Sequence, residues 1–190
     1  MPSRKSQRRS GTVRIIGGRW RGRRIEVEST ANMRPTSDRV RETLFNWLMP
    51  VIAGTRCLDL FAGTGVLGLE ALSRGASETW FVEQDPGAVA QLEQALEAFG
   101  CLDAKVFSGD ALNFLQRVPT AFDLVFLDPP FHDIDIENLC TLLEQGWLAP
   151  GAHIYLELSR RSDLPALPPK WKILREKTTA QVRFALARRS

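Results

Sequence analysis

The sequence predicts an open, doubly wound α/β sheet with an N-terminal extension. From Cys57 onward, short apolar strands alternate with amphipathic helices, a pattern typical of a mostly parallel sheet covered by helices on both faces. The C-terminal part carries two consecutive strand patterns, which predict an antiparallel hairpin at one edge of the sheet. The 190 residues, 44% of them apolar and 25% charged, suit one globular domain.

Each predicted element has a local signal. Val89, Leu92 and Leu96 share one helical face, and Gly100 follows as a stop. The penultimate and last strands are predicted from residue alternation. The strands are predicted at 57–61, 79–82, 104–107, 124–127, 153–158, 171–176 and 181–187, and the helices between Pro35 and Pro50 and at 66–72, 86–99, 111–117 and 135–146.

Basic residues are concentrated in the first part of the chain. Residues 1–48 contain 12 Lys/Arg against 4 Asp/Glu, whereas residues 49–190 contain 13 against 18. A basic arm on a mildly acidic body suggests a polyanionic partner bound mostly through the arm. A solvated tail that only aids solubility is one alternative. An Arg- and Ser-rich transit peptide is another, although the arm lacks an apolar helical face.

Part of this arm predicts a β-hairpin. Residues 13–16 and 24–27 are strand-like, and Gly17-Gly18 is a turn signal between them. Arginines can pair with phosphates and an aromatic ring can stack on an unpaired base, so the hairpin is a candidate RNA-binding element. For Trp20 the alternative is packing that pins the hairpin to the body.

Composition excludes several classes of protein. The chain has no apolar window long enough for a transmembrane helix, and no apolar segment typical of a secretory signal follows the basic start. The cysteines Cys57, Cys101 and Cys140 are far apart, which argues against a disulfide scaffold and a CxxC zinc site. His132 and His153 are too few for a histidine-rich metal site. We expect a reducing, cytoplasmic location and no metal.

The loops after the strands carry the chemistry, because ligands of such sheets bind at the carboxyl ends of the strands. Gly63, Gly65 and Gly68 form a G-x-G-x-x-G between a strand and a helix, which lets a ligand approach the backbone; a simple tight turn is the alternative. Glu83 follows the second strand, where a carboxylate can accept the ribose hydroxyls of a nucleoside. It could also be a solvated acid. Asp110 can accept from an adenine amine, cap the next helix, or do both.

The most specific motif is Asp128-Pro129-Pro130-Phe131, directly after a strongly apolar strand. Two prolines fix a rigid turn there and cannot extend the sheet. The Asp128 carboxylate and the Pro129 carbonyl can accept both hydrogens of a planar amine while Phe131 stacks on its ring. A structural Asp-Pro turn is the alternative, but it leaves the glycine loop and Glu83 unexplained.

This motif resembles the [Asn/Asp]-Pro-Pro-[Tyr/Phe] of S-adenosylmethionine-dependent amino-methyltransferases. The chain as a whole is similar to RsmD-type bacterial 16S rRNA guanine-N2 methyltransferases. The similarity extends over nearly everything from Val13 onward. The matching stretches are Arg14 to Arg23, Arg34 to Leu48, Asp59 to Gly65, Asp128 to Phe131 and Asn138 to Leu148.

The resemblance implies a Rossmann-like class I methyltransferase, with a mostly parallel seven-stranded sheet whose last strand is antiparallel. It divides the chain into a basic disordered tail (1–12), an RNA-binding hairpin extension (13–34) and a methyltransferase domain (35–190). It implies methyl transfer to the N2 amine of one guanine in 16S rRNA, within a 30S subunit or assembly intermediate. The protein would be a monomer that binds neither membrane nor metal.

The resemblance also implies roles for particular residues. The glycine loop would hold the methionine part of the cofactor, Glu83 its ribose and Asp110 its adenine. The implied catalytic residues are Asp128, Pro129, Pro130 and Phe131. The implied cofactor residues are Asp59, Phe61, Ala62, Gly63, Thr64, Gly65, Glu83, Asp110 and Ala111. The segment Arg34-Pro35-Thr36 would help to close the site or contact RNA. With the hairpin interpreted as above, the expected RNA-binding residues are Arg14, Arg19, Trp20, Arg21, Arg23, Arg24, Arg34 and Arg39.

Three other functions share some of these features. A nicotinamide-dependent oxidoreductase has the glycine loop and the ribose acid, but gives no reason for the Asp-Pro-Pro-Phe motif or the basic arm. A methyltransferase acting on amines of DNA or of another RNA would use the same active-site logic. A non-catalytic RNA-binding assembly factor on the same fold would not need the intact motif.

Overall fold

The computed structural model describes residues 10–28, 36–130 and 134–190. Strands and helices alternate in the predicted order. The strands are β1 (Ser10–Arg14), β2 (Arg24–Glu28), β3 (Arg56–Asp59), β4 (Glu78–Glu83), β5 (Ala104–Ser108), β6 (Phe122–Leu127), β7 (Leu148–Ser159), β8 (Trp171–Thr178) and β9 (Val182–Arg189). The helices are α1 (Asp38–Leu48), α2 (Val66–Ser73), α3 (Pro86–Ala98), α4 (Ala111–Leu115) and α5 (Ile136–Leu143).

Seven strands form one sheet in the order β5-β4-β3-β6-β7-β9-β8. β3 pairs in parallel with both β4 and β6, so the strand order reverses at β3 and a crevice opens above its carboxyl end. β9 lies between β7 and β8 and is antiparallel to both. The predicted mostly parallel sheet with an antiparallel last strand is therefore confirmed.

Successive residues of each central strand face opposite sides of the sheet. Cys57 and Phe126 belong to a core shared with α1, α2 and α3, whereas Leu58 and Leu127 belong to a second core shared with α4 and α5. Because parallel strands covered on both faces bury both sets of side chains, their sequences are continuously apolar. The prediction of helices on both faces is confirmed.

Two predicted element boundaries need correction. β1 begins at Ser10, inside the segment predicted as a disordered tail, because residues 10–12 pair with residues 26–28 of β2. β7 begins at Leu148 and not at His153; Pro150 and Gly151 hid its first half, and the pairing with β6 shifts register there. Within the three described ranges, no helix is long and apolar enough to cross a membrane.

The N-terminal hairpin of β1 and β2 packs against the body. Ile15, Trp20 and Ile25 are buried in the same core as α1, α2 and α3. Trp20 is 6% exposed, and its ring lies 5.1 Å from the Phe99 ring and is covered by the Arg19 guanidinium at 4.3 Å. The base-stacking role predicted for Trp20 is therefore wrong, and the packing alternative is correct. Its ring has no free face for a nucleobase.

One buried carboxylate fastens the hairpin to two helices. Glu70, on α2, accepts hydrogen bonds from the backbone N–H groups of Ile16 and Gly17. Its partner on α1 is Arg41, at 3.1 Å, and both side chains are fully buried. Arg41 also donates to the Arg14 carbonyl at 2.9 Å. Arg74 also pairs with Glu70, and Asp38 also pairs with Arg41, so the hairpin, α1 and α2 meet at a small ion-pair network centred on Glu70 and Arg41.

We expect Glu70→Gln to lower the free energy of unfolding by about 3 kcal/mol, because Arg41 and Arg74 lose a buried carboxylate and only the half-exposed Asp38 still pairs with Arg41. Urea unfolding monitored by circular dichroism measures this change. Lys105→Gln is the matched control. It breaks an ion pair with Glu78 in which the Lys105 side chain is 55% exposed, and should cost under about 1 kcal/mol. Equal losses in the two variants would contradict the assigned importance of Glu70.

Candidate active site

A cavity of about 750 Å³ opens at the carboxyl ends of the central strands. It lies at the strand-order reversal beside β3, where ligands of open α/β sheets bind. The acids Asp59, Glu83, Asp110, Asp128 and Glu157 line it, each at or near the end of a different strand. The loops that carried the predicted chemistry therefore converge on one space.

The glycine loop forms the floor of the cavity and begins α2. Gly65 is the N-cap of α2 with φ +72°, a left-handed conformation that favours glycine. Gly68 has a different purpose, since a Cβ there would lie 2.2 Å from the Phe81 ring; it lets α2 pack closely on β4. Gly63 donates its N–H to Glu83 Oε2 at 2.7 Å, so the loop and the end of β4 are joined directly.

The acids beside the cavity also organise backbone. Glu83 Oε1 accepts from the Asp85 N–H at 2.7 Å, and Asp59 accepts from the Gly68 N–H at 3.1 Å. Asp110 caps α4 by accepting from the Asn113 N–H at 3.1 Å, which is one of the two roles predicted for it. The Asp110 side chain also lines the cavity, so the cap does not remove it from the site.

Asp128 is held by a residue from the opposite wall. The Thr36 hydroxyl, which precedes α1, donates to Asp128 Oδ2 at 2.9 Å. Arg41 in turn donates from Nε to the Thr36 carbonyl at 3.2 Å. Arg41 of α1 thus holds Thr36, and Thr36 in turn holds the carboxylate of the Asp-Pro-Pro motif.

Burial makes these carboxylates hard to ionise. It raises the pKa of Asp59 to about 7, and the charges of Asp128 and Glu83 raise it further. It raises the pKa of Asp128 to about 6, against the opposing effect of the Thr36 hydrogen bond. It raises the pKa of Glu157 to about 8, helped by the Asp128 charge. Desolvation and mutual repulsion both favour the neutral forms.

Among the described residues, the cavity lining includes six Asp or Glu residues and no Lys, Arg or His. Its potential is therefore negative, and a cationic ligand would relieve the repulsion. No cluster of three or more metal-binding side chains occurs in the ranges that the structure describes. The acids can attract an organic cation and accept hydrogen bonds from N–H and O–H donors.

Comparisons with known proteins agree with this site. A family model described as Conserved hypothetical protein 95 matches residues 13–188. The Escherichia coli protein named Ribosomal RNA small subunit methyltransferase D is 47% identical over 181 residues, which cover 95% of this chain and 91% of that protein. The chain belongs to the RsmD methyltransferase family.

Solved structures support the same fold for this RsmD-family enzyme. A protein from Escherichia coli proposed to be a methyltransferase superimposes with a TM-score of 0.89 at 45% identity, covering 95% of this chain and 99% of that one. A second proposed methyltransferase, complexed with S-adenosylhomocysteine, has a TM-score of 0.71 at 14% identity and covers 99% of this chain and 58% of that one. At that identity the likeness concerns the fold alone.

The structure brings most of the predicted site residues of this RsmD-family chain together. Eight of the nine predicted cofactor residues line the cavity, and Gly65 stands just behind them as the helix cap. Asp128, Pro129 and Pro130 also line it. Phe131 lies outside the described residues. The predicted roles of these residues remain predictions.

None of the predicted RNA-binding arginines that the structure describes lines the cavity, although Arg39 lies between Ser37 and Val40, which do. Arg14, Arg19, Arg21, Arg23 and Arg24 are exposed on the hairpin. Arg39 is exposed on α1, and Arg34 lies outside the described residues. Three of the hairpin arginines also have intramolecular partners: Arg14 pairs with Asp38, Arg19 with Asp103, and Arg23 stacks on Phe99.

Sequence reasoning missed the contacts of two polar residues of the site. The resemblance implied only that the segment Arg34-Pro35-Thr36 helps to close the site or contacts RNA, and the partner of Thr36, Asp128, is 92 residues away. Glu157 was hidden inside an apolar strand, yet it is 4% exposed and lines the cavity. An acid at the end of a buried apolar strand was the signal that could have identified Glu157, since unpaired acids are rarely buried.

The raised pKa of Asp59 makes stability depend on pH. Between the ordinary value of 3.8 and the folded value of about 7, the unfolded chain binds fewer protons, so stability falls as pH rises. We expect Asp59→Asn to reduce the loss of unfolding free energy between pH 5 and pH 8 by on the order of 2 kcal/mol. Urea unfolding at the two pH values measures it.

Asp163→Asn is the matched control, because the Asp163 side chain is fully exposed and should leave the pH dependence unchanged. The same pH dependence in wild type and Asp59→Asn would show that Asp59 is ionised normally.

Proposed function

We propose that this rRNA methyltransferase transfers a methyl group from S-adenosylmethionine to the N2 amine of a guanine in 16S rRNA, within a 30S subunit or an assembly intermediate. The observation that carries the proposal is the cavity itself. It is lined by acids without basic residues among the described positions, and the Asp128-Pro129 corner stands at its rim. The cofactor is a cation and the target is a planar amine, so both are suited to these groups.

The residues present fit such a cofactor. Glu83 and Asp110 lie where a nucleoside's ribose and adenine would meet carboxylates, and the glycine loop allows close backbone approach. Asp59 lies beneath that loop, tied to it by the Gly68 N–H. Bound there, the cofactor would supply an electrophilic methyl group on a positively charged sulfur.

The negative charge of the cavity favours a methyltransferase over a nicotinamide-dependent oxidoreductase. A dinucleotide would bring a doubly charged pyrophosphate next to the acids of the cavity, where the described lining offers no basic residue. Like charges in a low-dielectric site repel strongly. A sulfonium cation instead lowers the energy of the ionised carboxylates. The same acids therefore disfavour one cofactor and favour the other.

The Asp128-Pro129 corner supplies positioning and electrostatic stabilisation. Its carboxylate and carbonyl oxygens would accept the two N–H bonds of the target amine, which draws the nitrogen lone pair out of conjugation with the ring. Thr36 keeps Asp128 in place by a hydrogen bond of 2.9 Å. Asp128 is also the adjacent acceptor for the proton that the amine loses once it is methylated.

The base has to leave its stack to reach this corner, so the target guanine should lie in a loop or be flipped out. Exposed arginines of the hairpin and α1 would contact neighbouring phosphates. Arg14 and Arg24 are opposite each other on the outward face of the hairpin, and the Arg14 backbone is joined to Thr36 through Arg41. A monomer acting in the cytoplasm is part of the proposal.

We expect Asp128→Ala to lower turnover by about 10²-fold or more while cofactor affinity changes little, since it removes an acceptor for the amine and not the cofactor loop. The measurement is methyl transfer to undermethylated 30S particles with labelled S-adenosylmethionine, followed by nucleoside mass spectrometry. Asp135→Asn, a helix cap outside the cavity, is the control. Wild-type turnover in Asp128→Ala, or label on DNA or on a base other than guanine, would refute the proposal.

The basic surface is tested by substitution and not by deletion, because the hairpin contributes Ile15 and Ile25 to the core. Log K for RNA falls as log salt rises. We expect the combined Arg21→Gln, Arg24→Gln and Arg39→Gln variant to make this slope shallower by about 2, since each lost phosphate contact removes roughly 0.7. Filter binding across a salt series measures the slope.

The matched control removes three exposed positive charges from β8, at the far edge of the sheet: Lys172, Arg175 and Lys177, each to Gln. It should leave the slope nearly unchanged. Equal effects of the two triple variants would mean that net charge, and not the hairpin surface, governs RNA affinity.

A further inference from the structure

Glu157 is a buried carboxylate that the reaction as described so far does not use. It lies on β7, is 4% exposed and lines the cavity. The Tyr155 hydroxyl donates to its Oε2 at 2.6 Å. Within residues 10–28, 36–130 and 134–190, no group donates to its other oxygen, Oε1. One oxygen is therefore held in place and the other remains available to a ligand.

Sheet register puts Glu157 beside Asp128. Leu127 of β6 pairs with Leu156 of β7, so the next residues, Asp128 and Glu157, are neighbours on strands about 4.8 Å apart. Side chains alternate along a strand, and Phe126 and Tyr155, two positions earlier, share one core. The two carboxylates consequently project to the same face.

A second cavity, of about 160 Å³, adjoins the first at this point. Pro129, Pro130 and Glu157 line both cavities. The prolines belong to the corner that would hold the target amine, so Glu157 lies where the ring attached to that amine would enter. Its position is next to the substrate base, away from Glu83 and Asp110, which lie at the nucleoside end.

Glu157 and Asp128 are adjacent carboxylates that repel each other, and burial together with this repulsion raises the pKa of Glu157 to about 8. A ligand relieves this repulsion if it offers two neighbouring N–H donors or a positive charge. Guanine offers N1–H directly beside its N2 amine. In adenine and cytosine the ring nitrogen beside the amine is instead an acceptor, which an ionised carboxylate repels.

We propose that Glu157 selects guanine, accepting a hydrogen bond from N1–H through Oε1 while Asp128 accepts from the N2 amine. This inference rests on the proposed function. The cationic cofactor and the N1–H donor both stabilise the ionised carboxylate, so loading of the site favours the form that accepts. Glu157 is then a specificity residue that excludes adenine and cytosine from a corner otherwise suited to any aromatic amine.

The test replaces the methylated guanine, once mapped, by 2-aminopurine in ligated 16S rRNA assembled into particles. 2-Aminopurine keeps the N2 amine but has an acceptor at N1. We expect wild-type kcat/KM for this base to be lower than for guanine by about 10²-fold or more, because a site built for a donor rejects an analogue that lacks it.

Glu157→Gln should change this preference in a defined direction. The Tyr155 hydroxyl holds the oxygen of the introduced amide, so the NH₂ group faces the cavity, where it repels N1–H and matches the acceptor of 2-aminopurine. We expect the guanine to 2-aminopurine ratio to fall by at least about tenfold. The absence of O6 in 2-aminopurine affects both proteins and cancels in the comparison.

Calorimetric cofactor binding and thermal unfolding establish that Glu157→Gln is folded. Glu157→Gln combined with Tyr155→Phe frees the amide to rotate, and should restore guanine methylation relative to Glu157→Gln alone. If Glu157→Gln lowers kcat/KM equally for both bases, its role is structural and this inference is wrong. If wild type places no methyl on guanine N2 in unsubstituted particles, the proposed function itself fails, a result obtained before any variant is made.

Discussion

The active site depends on one buried ion pair at the junction of the hairpin, α1 and α2. Glu70 is surrounded by the hairpin N–H groups, Arg74 and Arg41. Arg41 also donates to the Thr36 carbonyl, and the Thr36 hydroxyl donates to Asp128. Two hydrogen bonds therefore connect the buried ion pair to the Asp128 carboxylate of the cavity. The hairpin and the Asp128-Pro129 corner are thereby joined by a continuous series of hydrogen bonds, so displacement of one would shift the other.

Desolvation and mutual repulsion destabilise the ionised carboxylates of the cavity, and a suitable ligand can relieve both effects. Asp59, Asp128 and Glu157 all have raised pKa values because they are buried near one another without basic partners in the described lining. Such a site lowers the stability of the empty protein at neutral pH. The cationic cofactor and the donor-rich base that we propose would supply the missing partners of these carboxylates, so the site would favour ligands of that charge and hydrogen-bond pattern.

Much of the fold could be predicted because its signals are local. The alternation of apolar strands and helices predicted a sheet covered by helices on both faces. The acids that follow the strands predicted a ligand site at the carboxyl ends of those strands. Contacts between distant residues could not be predicted: Thr36 and Asp128 are 92 positions apart, and burial of Trp20 depends on Phe99. Glu157 was not predicted as a site residue because it lies in a mostly apolar strand. Its position beside Asp128 depends on the register of β7 with β6, which a single sequence does not reveal.

The placement of β9 has a consequence for the order in which the molecule is completed. In the described residues β8 joins the sheet through β9, which follows it in the chain, and Gln181 and Val182, just before and at the start of β9, form part of the cavity wall. The hairpin likewise lacks its buried partner until α2, which carries Glu70, has been synthesised. A chain in which β9 has not yet paired therefore has an incomplete cavity wall, so the pocket forms only after β9 has been inserted between β7 and β8.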